Sequence, residues 1–189
     1  IPLNERKRLG ALLDDRPQTE VMAMIPQFSQ AETDNFVAPP AQIPEALGVL
    51  MFNMERGVNL PEIQEFLRDC PDIQPFDVIL ANELDDGCAR SGNKNTAREL
   101  AQAFGLNYAW GLEFIELVND ENAKGFHGNA VFSRWPIRRA GVIRLPEQYN
   151  WYFDRQKRIG GRLAVFAELD VGGQPVGAVS IHLENRTHG

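Results

Sequence analysis

Apolar side chains at helical spacing open the chain and predict a helical segment over residues 1–36. The leucines of the first helical face are Leu3, Leu9, Leu12 and Leu13, and a second apolar group runs from Val21 to Ile25. Residues 37–45 contain three prolines, which remove backbone donors and fix φ, so we interpret this stretch as a linker. The main domain is therefore expected over residues 46–189.

Strand-like and helix-like patterns then alternate. Residues 47–53 form a short apolar run typical of a strand buried on both faces, and residues 60–69 place apolar side chains on one helical face. Residues 76–83 predict a second buried strand. A second helix is expected within residues 95–105, where Asn95 or Thr96 would cap it and a glycine would end it.

The rest of the chain is rich in strand patterns. Strands are predicted at 107–117, 128–133, 140–145, 163–171 and 175–183. The pair Gly172-Gly173 separates the last two and is typical of a two-residue hairpin. Helices between the early strands and hairpins afterwards predict a mixed sheet packed against helices, in an α/β or α+β layered domain.

Composition and charge narrow the classes of function. The 189 residues are 43% apolar, enough for one sizeable core, and the net charge of -7 provides no global basic field for nonspecific binding to nucleic acid. A polyanionic substrate would need a local basic patch or a bound cation. Cys70 and Cys88 lack the spacing of a zinc site, and we interpret both as structural. No apolar run approaches the roughly 20 residues that span a bilayer, so we expect a soluble protein, with the compartment open between cytoplasm and export.

Two polar side chains come at the ends of the early predicted strands. Asn53 ends the first strand and Glu83, 30 positions later, ends the second, which fits one strand–helix–strand unit. Because the strands of such a unit run parallel, both side chains are expected at one edge of the sheet, where ligands of open sheets bind. Carboxylate and amide oxygens suit Mg²⁺. In the alternative interpretation, Asn53 caps the following helix and Glu83 is a surface carboxylate.

A histidine ends the last predicted strand. His182 is followed by the polar residues Glu184, Asn185 and Arg186. Its imidazole could donate to a nonbridging phosphate oxygen or transfer a proton near neutral pH. The alternative is a structural histidine whose hydrogen bonds are satisfied within the fold.

A basic cluster and a group of aromatic residues precede the strand at 163–171. The cluster, Arg155, Lys157, Arg158 and Arg162, would bind phosphate through planar guanidinium groups or form a solvated loop. The aromatic residues are Tyr149, Trp151, Tyr152 and Phe153. We interpret them as core residues; if exposed, they would stack on a base or contact lipid.

An ordered series of short motifs resembles the endonuclease/exonuclease/phosphatase superfamily over about residues 46–187. The series is Phe52-Asn53-Met54, Asn82-Glu83-Leu84, GNAVFSRWPI at 128–137, Gly161-Arg162-Leu163-Ala164 and His182-Leu183-Glu184-Asn185-Arg186-Thr187. The GNAVFSRWPI motif is the most characteristic. The resemblance implies an α+β fold, a four-layer α/β/β/α sandwich that hydrolyses phosphate esters with Mg²⁺ or Mn²⁺.

The resemblance also implies roles for individual residues. Glu83 resembles the metal-ligand glutamate, and Asn53 resembles the asparagine beside it that helps to place the metal or its water. His182 resembles the histidine that contacts the scissile phosphate. Arg162 is expected to contact substrate phosphate, and Asn129 is expected at the floor of the cleft.

Two motifs that this superfamily normally carries further along the chain do not occur here. They are Gly-Asp-x-Asn and Ser-Asp-His, whose histidine is the principal acid–base residue of the family. His188 is not a substitute, because no Ser-Asp precedes it and no predicted strand leads into it. We therefore expect an incomplete catalytic domain that hydrolyses little by itself, and its missing C-terminal part is an expected partner.

The substrate class stays open among nucleic acid, nucleotide, inositol phosphate and phospholipid headgroup. The main alternative to an enzyme is a noncatalytic binding module that retains the sandwich as a scaffold. An unrelated α/β hydrolase or oxidoreductase is disfavoured, because the sequence has no Gly-x-Ser-x-Gly, Gly-x-Gly-x-x-Gly or Walker lysine motif.

Overall fold

The computed structural model describes residues 1–186, in which helices cover one face of a mixed β-sheet and a second sheet covers the other face. The α-helices are α1 (Leu3–Leu12), α2 (Gln18–Ala23), α3 (Leu60–Asp69) and α4 (Thr96–Phe104). The strands are β1 (Ala31–Asp34), β2 (Val49–Arg56), β3 (Val78–Asp86), β4 (Asn107–Glu116), β5 (Phe126–Ser133), β6 (Ile137–Arg144), β7 (Arg158–Gly160), β8 (Leu163–Val171) and β9 (Gln174–Ile181).

The first sheet, sheet A, has six strands in the order β1-β4-β5-β3-β2, with β7 also paired to β4. Strands β2 and β3 run parallel, as predicted for the strand–helix–strand unit around α3, and the other pairs are antiparallel. Sheet B has three antiparallel strands in the order β6-β8-β9. The predicted hairpin at Gly172-Gly173 joins β8 to β9.

Helix α4 begins and ends where local chemistry favours it. The Asn95 side chain accepts a hydrogen bond from the Arg98 main-chain N–H at 2.9 Å, so the cap is Asn95 rather than Thr96. Gly105 follows the helix with φ of 58°, a left-handed conformation that glycine adopts without strain. The Thr96 hydroxyl instead donates to the carbonyl of Asp85, which ties the start of α4 to the end of β3.

Two apolar cores lie on the two faces of sheet A. The helix-side core includes Leu9 and Val21 of the N-terminal segment, so residues 1–36 pack onto the sheet. That segment also contains β1, a strand that its helical periodicity did not predict and that pairs with β4. The second core lies between the sheets and includes Trp135 and Leu163.

Strand β2 corrects one prediction. Its run was expected to be buried on both faces, yet Val49 and Met51 are 57% and 73% exposed. The reason is that β2 is the edge strand of sheet A, whereas the strands of sheet B pack over β3, β4 and β5. A buried run and an edge run can carry the same apolar residues, because the covering layer comes from elsewhere in the chain.

The described residues supply three layers: helices, sheet A and sheet B. The outer face of sheet B carries exposed Ile143, Val179 and Ile181, so the fourth layer of the expected sandwich is not seen within residues 1–186. The α+β class and the paired sheets are confirmed. None of the helices in the described range is long and apolar enough to span a membrane.

Candidate functional site

Three strand pairs of sheet A lose their regular register at the same end of the sheet. The irregularities lie between Asn53 and Arg56 in the β2–β3 pair, between Ala81 and Leu84 in the β3–β5 pair, and between Leu112 and Phe114 in the β4–β5 pair. Glu83 and Glu113 fall within two of these bulges. An extra residue in a strand re-aims its side chain, and both carboxylates come to lie near His182.

Several residues at this irregular end of sheet A have left-handed backbone conformations. Glu55, Arg56 and Glu83 have φ of 46°, 68° and 58°, which is unfavourable for residues that carry a Cβ. The Glu83 main-chain N–H donates to the Asn129 side-chain oxygen at 3.2 Å. Asn129 is fully buried, so it holds the main chain of Glu83 from beneath.

Asn53, Glu83 and His182 lie together, although they are far apart in the sequence. The Asn53 amide lies near enough to the Glu83 carboxylate to lower its pKa, and His182 Nε2 lies 3.8 Å from Glu83 Oε1. The Asn53 oxygen accepts from the Glu55 main-chain N–H at 2.9 Å. The alternative in which Asn53 caps the following helix is wrong, because Asn59 occupies the cap position of α3.

The environment of Glu83 favours its ionised form. Burial alone would raise the pKa of this carboxyl group, but the Asn53 amide, the neighbouring His127 and His182 rings and the charge of Arg56 outweigh burial and lower the pKa. Glu83 is therefore a carboxylate at neutral pH. Its side chain stays 24% exposed, which leaves its oxygens accessible from the cleft.

Arg162 sets the tautomer of His182. Its Nη1 lies 2.9 Å from His182 Nδ1, and since a guanidinium only donates, Nδ1 must accept. The proton of the neutral ring is then on Nε2, on the side of Glu83. The ring therefore presents an N–H donor toward Glu83.

Arg162 is itself held by buried carboxylates. It pairs with Glu113 at 3.2 Å and with Glu184 at 3.2 Å, and Glu184 also accepts from the Trp151 indole N–H at 2.7 Å. The Arg162 side chain is only 11% exposed. A substrate phosphate would therefore meet a guanidinium whose position is fixed in advance.

Sequence reasoning missed a buried ionic network behind these residues. His127 Nδ1 lies 2.8 Å from Asp85, and His127 Nε2 lies 3.8 Å from Glu113. Arg90 makes a two-pronged contact with Asp85 at 2.7 and 2.8 Å. Burial would raise the pKa of Asp85, but the hydrogen bonds from Arg90 and His127 lower it to about 2.

The network did leave a signal in the sequence. Glu113 is a carboxylate in the middle of a strand whose other residues are mostly apolar, and Asp85 follows Glu83 by two positions at the end of a buried strand. A charged side chain inside a strand buried on both faces needs a partner there. The partners come from β5, from the turn before α4 and from Arg162 before β8, and the strand pattern identifies none of them.

A polar cleft of about 210 Å³ opens beside Glu83 and Arg162. Its other lining residues are Arg56, His127, Trp151, Asp154, Gln156, Arg158, Asn185 and Arg186. Four arginines and two carboxylates line this cleft, and three of the arginines are ion-paired: Arg158 with Glu116, Arg162 with Glu113 and Glu184, and Arg186 with Asp154. Within residues 1–186, Arg56 is the cleft arginine that has no ion pair, so the cleft offers guanidinium donors to an anionic substrate without a strong net positive charge.

The basic cluster and the aromatic group each contain both buried and exposed residues. Arg158 is buried and pairs with Glu116, whereas Arg155 and Lys157 are exposed. Trp151 and Tyr152 are buried, as predicted for core residues. Phe153 is the exception, since it is 76% exposed and adjoins the cleft residue Asp154.

The donor set at Glu83 suits a weakly held hard cation. Among residues 1–186, no three His, Cys, Asp or Glu side chains are grouped as a metal cage, and both cysteines are free thiols. Glu83 and Asn53 offer a carboxylate and an amide at an accessible edge. Mg²⁺ commonly binds through one or two carboxylates and keeps water or phosphate oxygens as its other ligands, so the residues fit it.

Comparison with known proteins gives matches among solved structures. No protein-family model and no curated protein matches the chain. An endonuclease/exonuclease/phosphatase from Beutenbergia cavernae DSM 12333 superimposes with a TM-score of 0.52 and 22% identity, over 71% of this chain and 37% of that chain. A family protein of the same description from Leptotrichia buccalis C-1013-b gives a TM-score of 0.49 and 19% identity, over 74% of this chain and 55% of that chain.

The described chain spans well under two thirds of the length of either protein. At this level of identity the likeness to the Beutenbergia structure concerns the fold. It confirms the fold expected from the sequence motifs.

Proposed function

We propose that this chain, which has the endonuclease/exonuclease/phosphatase fold, forms the metal-binding part of a divalent-metal-dependent phosphoester hydrolase. The observation that carries the proposal is that Asn53 of β2, Glu83 of β3 and His182 after β9 lie together at one end of sheet A, where Glu83 lines the polar cleft. A carboxylate, an amide and a neutral imidazole donor at one sheet edge suit a cation and a phosphoryl group together.

Each residue has a proposed task. Glu83 and Asn53 would hold Mg²⁺ or Mn²⁺, which would neutralise charge on the phosphate and on the leaving oxygen. His182 would donate its Nε2 proton to a nonbridging phosphate oxygen, and Arg162 would keep the ring in that tautomer. Asn129 would keep the Glu83 main chain in its left-handed conformation.

The substrate would be a phosphate ester drawn in by the arginines of the cleft. Arg56 and Arg186 line the cleft, and the exposed Phe153 directly precedes the lining residue Asp154 in the chain. An exposed aromatic beside an arginine-lined cleft is suited to stack on a base, which favours a nucleic acid or nucleotide over an inositol phosphate or a phospholipid headgroup.

The chain would need a further segment for full activity. The general acid–base group expected from the superfamily would come from a C-terminal part of the domain that this sequence does not contain. Sheet B supports this idea, because β9 is an edge strand and Val179 and Ile181 on its outer face are exposed. General acid–base assistance typically contributes about 10²- to 10⁴-fold to rate, so the 189-residue chain alone should turn over very slowly.

Metal binding can be tested on the chain without any turnover. Mn²⁺ titration followed by electron paramagnetic resonance should detect a site in the parent chain and lose it in Glu83→Gln. Glu45→Gln is the matched control, because Glu45 is an exposed carboxylate in the proline-rich stretch. Equal Mn²⁺ binding by all three proteins would refute the metal site.

Turnover separates the enzyme from the binding module. Hydrolysis of bis-p-nitrophenyl phosphate with Mg²⁺ should be near background for this chain and clear for a longer chain that carries the expected motifs. If the longer chain binds Mn²⁺ and phosphate esters without hydrolysing them, the noncatalytic scaffold is the correct interpretation.

A further inference from the structure

A second cavity, of about 300 Å³, is lined by Gly160 and Gly161 and shares Arg162 with the arginine-lined cleft. Its walls are mainly apolar and include Met22, Ile25 and Phe28 of the N-terminal segment and Leu145 after β6. Ligand pockets typically combine apolar walls with a few convergent polar groups. Arg144 and Glu147 are the charged groups here besides Arg162.

Arg144 is a cation without a counter-ion in its immediate surroundings. Its guanidinium donates to the main-chain carbonyls of Phe28 at 2.9 Å, Gly161 at 3.0 Å and Glu113 at 3.4 Å, and also to that of Leu112. Across the described chain, no carboxylate lies within 4.0 Å of it. Burial lowers its pKa to about 10, since the more distant charge of Glu113 only partly opposes that effect.

The Arg144 guanidinium has one N–H group left that could donate to a bound anion. A guanidinium has five N–H groups, and the four carbonyl contacts of Arg144 leave one of them for a ligand. Burying a charge that has no opposite partner costs free energy, and an anion at the same place would recover part of it.

We propose that this cavity binds a small amphiphilic anion, with its acidic group at Arg144 and its alkyl chain among Met22, Ile25 and Phe28. A medium-chain carboxylate has the right chemistry and size. Glu147 limits the affinity, because its carboxylate lies at the rim and is held there by Gln18 at 2.8 Å. The proposal concerns binding alone, and it holds whether or not the chain hydrolyses phosphate esters.

Gly161 offers a way to close the cavity without disturbing its neighbours. A Cβ built at Gly161 meets no atom within 4 Å, and this residue lines the cavity. Gly161→Leu should therefore place its side chain in the space that the alkyl chain would occupy. Gly141→Leu is the matched control, because a Cβ there also meets no atom within 4 Å and Gly141 lies outside the cavity lining.

The test uses octanoate, 1-octanol and butanoate as probes, with isothermal calorimetry and the methyl NMR signal of Met22 as readouts. Octanoate should bind and shift the Met22 signal, while octanol, which lacks the charge, and butanoate, which lacks the chain, should bind more weakly. Gly161→Leu should weaken octanoate binding by about tenfold or more, because several buried CH₂ groups are lost. Gly141→Leu should leave it unchanged.

Glu147→Gln should tighten octanoate binding by about threefold, the size expected for an exposed charge. It also leaves the carbonyl contacts of Arg144 in place, so a failure to fold is not expected. The proposal is overturned if octanoate leaves the Met22 signal unmoved in the parent chain. It is also overturned if Gly161→Leu binds octanoate as the parent does, or if octanol binds as tightly as octanoate.

Discussion

The two ends of the parallel pair β2–β3 differ in regularity. At the N-terminal end, pairing is unbroken from Val49 with Val78 onward, and Asp77 accepts a hydrogen bond from the Gly48 main-chain N–H at 2.9 Å. At the C-terminal end, both strands shift register, and Glu83 adopts a left-handed conformation. Where the regular pairing of the strands is interrupted, a bulge changes the direction of a side chain. The Glu83 side chain lines the cleft at this end.

The candidate site is distinguished from the other end of the pair by its charged lining residues and not by the volume of its cavity. The regular end has the larger cavity, about 700 Å³, yet its walls are largely the proline-rich stretch with Ile43, beside Trp135 and the pair Asp77–Arg134. The cavity at the irregular end is about 210 Å³ and is lined by four arginines and by the carboxylates of Glu83 and Asp154. Buried charge and backbone strain occur together at the irregular end, which makes it the candidate site although its cavity is smaller.

The largest expected difference between the ends is in stability. Asp85→Asn leaves Arg90 and His127 without their buried carboxylate, so we expect a loss of about 3–5 kcal/mol in the free energy of unfolding. Asp77→Asn at the regular end keeps an oxygen acceptor for Gly48 and should cost about 1 kcal/mol or less. Urea unfolding measures both, and equal losses would contradict the contrast.

The second effect is acid sensitivity of the irregular end. The pKa of Asp85 is about 2 in the folded protein and near 4 when unfolded, so the stabilisation is complete above pH 4 and is lost as the pH falls toward 2. The loss should be about 2 kcal/mol. Urea midpoints between pH 2 and 5 test this, and Asp85→Asn should show a correspondingly smaller dependence on pH in that window.

The third comparison is between two exposed apolar residues, one at each end. Phe153→Ala should weaken binding of a short oligo(dT) by about 1 kcal/mol or more through lost stacking, with little change in stability. Ile43→Ala, which lies at the other end and is 60% exposed, should change neither. Fluorescence anisotropy measures the binding. Binding to anionic lipid vesicles that depends on Phe153, with none to oligo(dT), would indicate a membrane substrate instead.

The smallest effect concerns the strained backbone. Asparagine tolerates the left-handed region better than glutamate, so Glu83→Asn and Glu55→Asn should each raise stability by a few tenths to about 1 kcal/mol. Only Glu83→Asn should abolish Mn²⁺ binding. Thermal unfolding measures the change in stability, and Mn²⁺ titration measures metal binding. A loss of metal binding in Glu55→Asn would contradict the assignment of the metal site to Glu83.

Much of the fold follows from local patterns. The amphipathic period over 60–69 and the double-glycine turn at 172–173 each depend on neighbouring residues, and both elements are found where they were predicted. Strands β1 and β7 were missed, because each is three or four residues long and exists only through pairing with β4. The burial of β2 on both faces was predicted wrongly for a related reason. Sheet B packs over β3, β4 and β5 and leaves one face of β2 exposed.

By itself, the sequence predicted that Asn53 and Glu83 lie toward the ends of two parallel strands, so that their meeting at one sheet edge was predictable. Their place as the last residues was wrong, because β2 continues to Arg56 and β3 to Asp86. Only the tertiary structure decided the bulges that turn Glu83 and Glu113 toward His182, the tautomer that Arg162 imposes, and the pairing of Asp85 with His127. These features depend on contacts between β3, β4, β5 and the loop before β8. These contacts join residues that are far apart in the chain, and a local sequence pattern does not identify the distant partner of a side chain.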